Sequence, residues 1–298
     1  MKNNNQKQFV LGLKYDFAMP IGRALVQQYA KKIGTNVGLV YIGGYPKSGT
    51  TWISKMVAYY LELPWVGHTD FAFGFPSVIH HHWNYDLAFD QSIFVIRDGR
   101  DVIVSTYMSV IKGYTPTEKA LDELGQYAPS VLLRKNFGRY ATLRKRLRHL
   151  YGLNFDPHDV TSNLPKFIEA EMKKPFVPEV KLCWPRYISE WKQNSQNTVY
   201  VKYEDMLQNS QTCLNNTLVQ FLSSSPVEED VSYITNRFSF ERLTGRKQGK
   251  EDRGSFARKG IAGDWKNYFS EEACQVFDHY AGNILIELGY ETNHDWRR

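Results

Sequence analysis

The chain has 298 residues, 42% of them hydrophobic, enough for a full core within one large α/β domain spanning residues 1–298. Three scattered cysteines (Cys183, Cys213 and Cys274) have no metal or redox spacing, which argues against a disulfide framework. No apolar run reaches the length of a membrane span, and the polar start Met1–Gln8 lacks a signal-peptide core, so a soluble, cytoplasmic protein is expected. A net charge of +6 favours anionic ligands without selecting one.

A helix is expected around Gly22 to Lys32, with Leu25, Val26 and Tyr29 on its buried side. The apolar run Leu39-Val40-Tyr41-Ile42 reads as a buried strand. Trp52, Ile53, Met56, Val57, Tyr60 and Leu61 then recur at helical spacing until Pro64. Between strand and helix lies Gly43-Gly44-Tyr45-Pro46-Lys47-Ser48-Gly49-Thr50-Thr51-Trp52. A strand, a glycine-rich turn and a helix start form an anion cradle, because backbone N–H groups and the positive end of the helix dipole converge there. Lys47 adds a charge, and Ser48, Thr50 and Thr51 add hydroxyls. The nucleotide-triphosphatase pattern, counted from Gly44 to Gly49, would put lysine where Thr50 stands, so the displaced Lys47 speaks against an ordinary ATPase.

Farther on, Phe71, Phe73 and Phe75 alternate with small residues, as either core or the wall of an aromatic pocket, with Trp83 and Tyr85 nearby. Within Val78-Ile79-His80-His81-His82-Trp83, an extended backbone puts His80 and His82 on one face and His81 on the other. Adjacent residues on opposite faces make a poor metal site, and no Cys or Glu cluster completes a ligand set. A histidine at a strand end beside an anion loop suits general-base work. Ser92-Ile93-Phe94-Val95-Ile96 reads as another buried strand, with Arg97 at its carboxyl end and a helix opening from Gly99. If its neighbour is the strand before the anion loop, Arg97 lies beside Lys47, since ligands gather at the carboxyl ends of parallel strands. Arg97 and Ser105 could then grip a phosphate, whereas Arg100 and Asp101 read as a local ion-pair cluster.

Residues 112–185 look like an expanded helical and loop insertion, a natural place for an acceptor-site lid. The basic run from Arg134 to Arg148, interleaved with Leu143 and Leu147, reads as the solvated face of an amphipathic helix or a polyanion-binding surface. Helices are expected at 184–191, 212–222 and 227–237, with a strand at Thr198–Tyr203 between the first two. In Phe256-Ala257-Arg258-Lys259-Gly260-Ile261-Ala262-Gly263-Asp264-Trp265-Lys266, adjacent cations flanked by glycine suit close approach to an anion. Ser270 should cap a last helix that Gly289 ends.

Three separated motifs agree in order and spacing with one family: the loop at 45–52, Arg97 with Ser105, and Arg258-Lys259-Gly260 ahead of Gly263-Asp264-Trp265-Lys266. The chain resembles the cytosolic-type sulfotransferases that use 3′-phosphoadenosine 5′-phosphosulfate (PAPS), from about residue 38 to 290 outside the expanded middle. The resemblance implies an α/β fold, a central mostly parallel sheet flanked by helices with a P-loop-like nucleotide site. It implies PAPS as co-substrate, 3′-phosphoadenosine 5′-phosphate (PAP) as product, and no metal. Lys47 would contact the leaving phosphate and sulfuryl oxygens, with Ser48, Gly49, Thr50 and Thr51 at the 5′-phosphate. Trp52 and Phe240 would sandwich adenine, with Tyr203 and Ser239 beside it. Arg97, Ser105, Arg258, Lys259 and Gly260 would hold the 3′-phosphate. The family's histidine base aligns with His82, His80 being the alternate. Its dimerisation signature is not matched after Lys266, so no oligomeric state is implied. The acceptor would be a small-molecule, lipid-like or carbohydrate hydroxyl or amine, and no nucleic-acid partner is expected. The rival readings are a nucleotide kinase or NTPase and a non-catalytic polyanion binder.

Overall fold

Strands buried on both faces read as continuous apolar runs, and two such runs form the middle of the sheet. β1 (Leu39–Gly44) is its central strand and β4 (Ser92–Ile96) lies beside it. The computed structural model describes residues 19–67, 74–111, 138–252, 255 and 257–297. The expected features at Phe71, Phe73, Lys112–Pro116, Arg134, Lys135, Phe137 and Phe256 lie outside these residues. Five strands form one sheet in the order β2-β3-β1-β4-β5, with β2 at Trp65–Val66, β3 at Ser77–His81 and β5 at Val199–Lys202. Every pairing is parallel. β2 has no counterpart among the expected strands, because its two residues are too few to show periodicity.

Eleven helices of the described residues matter less than where they sit. α1 (Met19–Ile33) precedes β1, α2 (Thr50–Tyr60) follows it, and α3 (Gly99–Ile111) follows β4. α4 (Gly138–Tyr151), α5 (Val160–Lys173) and α6 (Trp184–Asn194) lead to β5. Then come α7 (Tyr203–Gln208), α8 (Ser210–Leu222), α9 (Glu228–Arg237), α10 (Phe240–Thr244) and α11 (Glu271–Glu287). The Ser270 hydroxyl caps α11 by accepting from the Ala273 amide, and Gly289 follows with a φ of 71°.

The period of two along each strand divides the core into two layers. Ile93 and Val95 join Ile42, Ile53, Met56, Leu214 and Leu218 on one face. Phe94 and Ile96 join Tyr45, Trp184, Tyr187, Trp191 and Phe277 on the other. α5, from the stretch expected to be an insertion, and α6, expected as a helix at 184–191, supply much of this second layer: Leu164, Phe167, Ile168, Trp184, Tyr187 and Trp191 are all fully buried. In α4, Leu143 and Leu147 are buried while Lys145 and Arg148 face solvent, an amphipathic arrangement. Arg146 departs from it, because its guanidinium donates to the carbonyls of Lys174 and Pro175.

Register decides where the site lies. Gly43 pairs with both His81 and Phe94, and Gly44 pairs with Val95. The carboxyl ends of β3, β1 and β4 therefore stand side by side, and the segments that leave them carry His82, Lys47 and Arg97.

Candidate active site

The anion loop is a strained turn. The Ser48 amide donates to the Tyr45 carbonyl at 3.1 Å, and Lys47 holds a φ of 75°, a left-handed conformation that side chains other than glycine's rarely adopt. Gly49 follows at φ 89° as the N-cap of α2 and offers it no side-chain cap. The first amides of α2 thus lack the partner a serine or aspartate cap would give, and the helix dipole points into the turn. Gly49 is also fixed by contact, since a Cβ there would lie 2.5 Å from the Tyr203 ring. The hydroxyl oxygens of Ser48 and Thr50 are buried with no hydrogen-bond partner. Buried unpaired hydroxyls cost free energy unless a ligand oxygen meets them, so the loop fits a bound anion.

A cavity of about 340 Å³ opens beside this loop. Its wall includes Lys47, Gly49, Thr51, Trp52, Arg97, Ser105, Tyr203, Phe240, Arg258, Lys259 and Gly260. Eleven residues singled out from the three motifs, from Tyr203 and from Phe240 therefore border one space. Ser48 and Thr50 lie behind the wall as buried hydroxyls, and the Ser239 hydroxyl instead caps α10 by accepting from the Arg242 amide at 3.4 Å. Lys55 and Thr244 also line the cavity. Lys55 was legible in principle, because it stands three residues after Trp52 and so shares its helix face. The aromatic walls are held in place. Trp52 donates its indole N–H to the Phe238 carbonyl at 2.7 Å and meets Tyr203 edge-on, with ring centres 6.0 Å apart. Gly260, at φ 64°, lies so close to Phe240 that a Cβ would sit 2.3 Å from its ring.

Arg97 joins the parts. One terminal nitrogen donates to the Lys47 carbonyl at 3.0 Å, the other to the Ile261 carbonyl at 3.4 Å, and the guanidinium lies 4.3 Å from the centre of the Tyr203 ring. Burial works against its charge, but Tyr203, Asp101, Glu204 and Asp98 outweigh burial and raise its pKa, so it remains a cation. Arg258 pairs with Glu251 and Asp264, and Lys259 reaches Asp264 at 2.6 Å. Asp264 is held below its ordinary pKa, since these hydrogen bonds and cations more than offset its burial. The expected local cluster at 98–101 forms, with Arg100 paired to Asp98 and Arg97 3.6 Å from Asp101. Asp101 also accepts from the amides of Gly263 and Trp265, more than 160 residues away, because the start of α3 abuts the Gly263 turn.

The three histidines separate as the pleat requires. His81 is buried on the second core layer, stacked on Trp83 with ring centres 4.6 Å apart. His80 stacks on Trp65 at 5.2 Å on the opposite face, and the His82 ring meets it edge-on at 5.6 Å. His82 Nδ1 lies 2.7 Å from the Gly44 carbonyl, at the entrance to the anion loop. A carbonyl only accepts, so Nδ1 carries the proton and Nε2 presents the lone pair. Tyr187, unremarked in the sequence, holds this corner from α6. Its hydroxyl donates to the Trp83 carbonyl at 2.8 Å and lies 3.4 Å from that of Gly44. Phe75 is exposed, and Trp83 belongs to the buried core rather than to a pocket. Among the described residues, no group of three or more His, Cys, Asp or Glu side chains is placed to hold a metal ion. No described helix is long and apolar enough to cross a membrane.

Comparison with known proteins gives this arrangement a family. Residues 75–289 match the model of the sulfotransferase domain, a span that begins after the anion loop. Sulfotransferase 2B1 of Mus musculus is 23% identical over 278 residues, covering 80% of this chain and 69% of that protein. Cytosolic sulfotransferase 1 of Danio rerio is 27% identical over 261 residues, covering 80% of each. Among solved structures, mouse sulfotransferase SULT7A1 complexed with PAP superposes with a TM-score of 0.54 at 18% identity, over 83% of this chain and 84% of that one. Retinol dehydratase in complex with retinol and PAP gives 0.53 at 14% identity, over 87% and 85%. These last two likenesses establish the shared fold. The domain match covers well over half of the residues, and the chain belongs to the sulfotransferase family.

Proposed function

We propose that this sulfotransferase moves the sulfuryl group of PAPS onto a hydroxyl or amine of a small-molecule, lipid-like or carbohydrate acceptor. The observation that carries the reading is one cavity bordered by two separate cationic loops, Lys47–Thr51 and Arg258–Gly260, with Trp52 and Phe240 between them in its wall. A nucleotide with phosphate groups on both its 5′ and 3′ oxygens uses both loops, and a nucleoside triphosphate does not. The relatives solved with PAP support the choice.

PAPS supplies an activated S–O bond whose leaving group is a phosphate oxygen. The Ser48 and Thr50 hydroxyls and the α2 amides receive the 5′-phosphate, and Lys47 neutralises charge growing on the leaving oxygen. Arg258 and Lys259 exchange part of their pairing with Asp264 and Glu251 for the 3′-phosphate, with Arg97 and Ser105 completing that end. His82 Nε2 takes the acceptor's proton as its oxygen or nitrogen bonds to sulfur, while the hydrogen bond to Gly44 keeps Nδ1 protonated. His82 is preferred over His80 as base because it reaches the anion loop, whereas the His80 ring is stacked on Trp65. As in phosphoryl transfer, most of the work lies in positioning and charge neutralisation.

Replacing His82 by Ala should lower turnover by roughly 10²- to 10⁴-fold and leave PAP affinity nearly unchanged. Steady-state kinetics with labelled PAPS, alongside PAP calorimetry, reads both quantities. Full activity in H82A with loss in H80A would move the base by one pleat.

A further inference from the structure

The grip of Asp101 on the Gly263 turn has no counterpart in the family-derived site assignment. Its carboxylate is 2% exposed and accepts from the Gly263 amide at 2.8 Å and the Trp265 amide at 2.9 Å. These amides flank Asp264, the residue that aims Arg258 and Lys259. The same carboxylate lies 3.6 Å from the Arg97 guanidinium, which donates to the carbonyls of Lys47 in one loop and Ile261 in the other. Burial and, after it, Asp98 raise the pKa of Asp101 against the opposing Arg97 charge and the two amides, and Asp98 is itself engaged by Arg100. A single carboxylate thus fixes three points: the turn whose Asp264 holds the cation pair, the arginine that spans both loops, and hence the spacing between those loops.

We propose that Asp101 is a positioning residue that builds the 3′-phosphate subsite before ligand arrives and sets its register against the 5′ loop. The proposal rests on the PAPS reading above. A carboxylate suits the task because every group that bonds or pairs with it directly is a donor: two amides and a guanidinium. Asparagine preserves shape but turns one acceptor into an N–H₂ that must oppose an amide or Arg97. The turn loses one anchor, and the arginine loses its counter-charge.

The defect should therefore follow the 3′-phosphate rather than the nucleotide as a whole. The readout is the affinity ratio of PAP to adenosine 5′-phosphate, measured by calorimetry on wild type and Asp101→Asn. The wild type should prefer PAP, and D101N should lose at least tenfold of that preference while its affinity for adenosine 5′-phosphate stays within about threefold. D101N that keeps the full wild-type ratio overturns the proposal alone, and so does an equal loss for both ligands, which marks a general structural role. A wild type that binds PAP no better than adenosine 5′-phosphate overturns the PAPS reading and this proposal with it. Should D101N not fold, hydrogen exchange on the wild type decides. The Gly263 and Trp265 amides should be protected without nucleotide, and free exchange there until PAP is added overturns a preformed subsite.

Discussion

At the scale of single residues, the site depends on side chains whose neighbours restrict them to one state. His82 has its proton placed by the Gly44 carbonyl, and Lys47 is offered from a strained φ of 75° that the surrounding turn must sustain. Beneath the loop, Tyr45 donates its hydroxyl to Glu171 Oε1 at 3.1 Å, and the Phe176 amide donates to Oε2 at 2.6 Å. Burial pushes the Glu171 carboxyl up to about 7, despite the opposing Phe176 amide, Tyr45 hydroxyl and Arg146 charge. Between pH 4.5 and 7 the folded chain then holds a proton that the unfolded chain has released. The stability this group contributes is full below the ordinary carboxyl pKa and falls as pH rises toward 7, by about 3 kcal/mol in total. Glutamine cannot ionise and can still serve both partners if the Tyr45 hydroxyl turns to accept. Denaturation of Glu171→Gln and wild type from pH 5 to pH 8 should show the variant gaining by about 2–3 kcal/mol as pH rises. Parallel curves would contradict the assignment.

Individual elements were readable from sequence where their signal is local. The strand, turn and helix of the anion loop, the strand ending at Arg97 and the capped last helix each carry their own periodicity and punctuation, and all of them form in the structure. What the sequence left out is the pairing of distant groups. Tyr45 with Glu171 and Asp101 with Gly263 are separated by 126 and 162 positions, and no spacing rule links them. The role of α5 was hidden for the same reason: its proline and charges resemble a loop-rich insertion, yet its apolar face completes the core over Tyr45. Close packing between elements gives a direct prediction. Gly260→Ala places a methyl group 2.3 Å from the Phe240 ring at a φ of 64°. It should lower PAP affinity at least tenfold and cost about 1–3 kcal/mol in stability. Calorimetry and thermal unfolding measure the two, and wild-type PAP affinity in G260A would show that the contact does not shape the cavity.

For the molecule as a whole, the parallel sheet supplies the logic of the site. Three adjacent strand ends bring His82, Lys47 and Arg97 to one edge, and the chain returns after β5 to lay the Arg258–Gly260 loop across them. The net charge of +6 indicated an anionic ligand, but the second loop does not work by excess charge. There Arg97, Arg258 and Lys259 already face Asp101, Asp264 and Glu251, so recognition rests on donor geometry more than on net potential. The measurement closest to the central claim is transfer itself: ³⁵S-labelled PAPS incubated with the protein and a panel of phenols, lipid-like alcohols and sugars, without added metal, and analysed for labelled product and PAP. The account predicts label on at least one acceptor in equal amount to the PAP released, with the signal lost in Lys47→Ala. No transfer to any acceptor, together with calorimetry in which Mg-ATP binds and PAP does not, would contradict it.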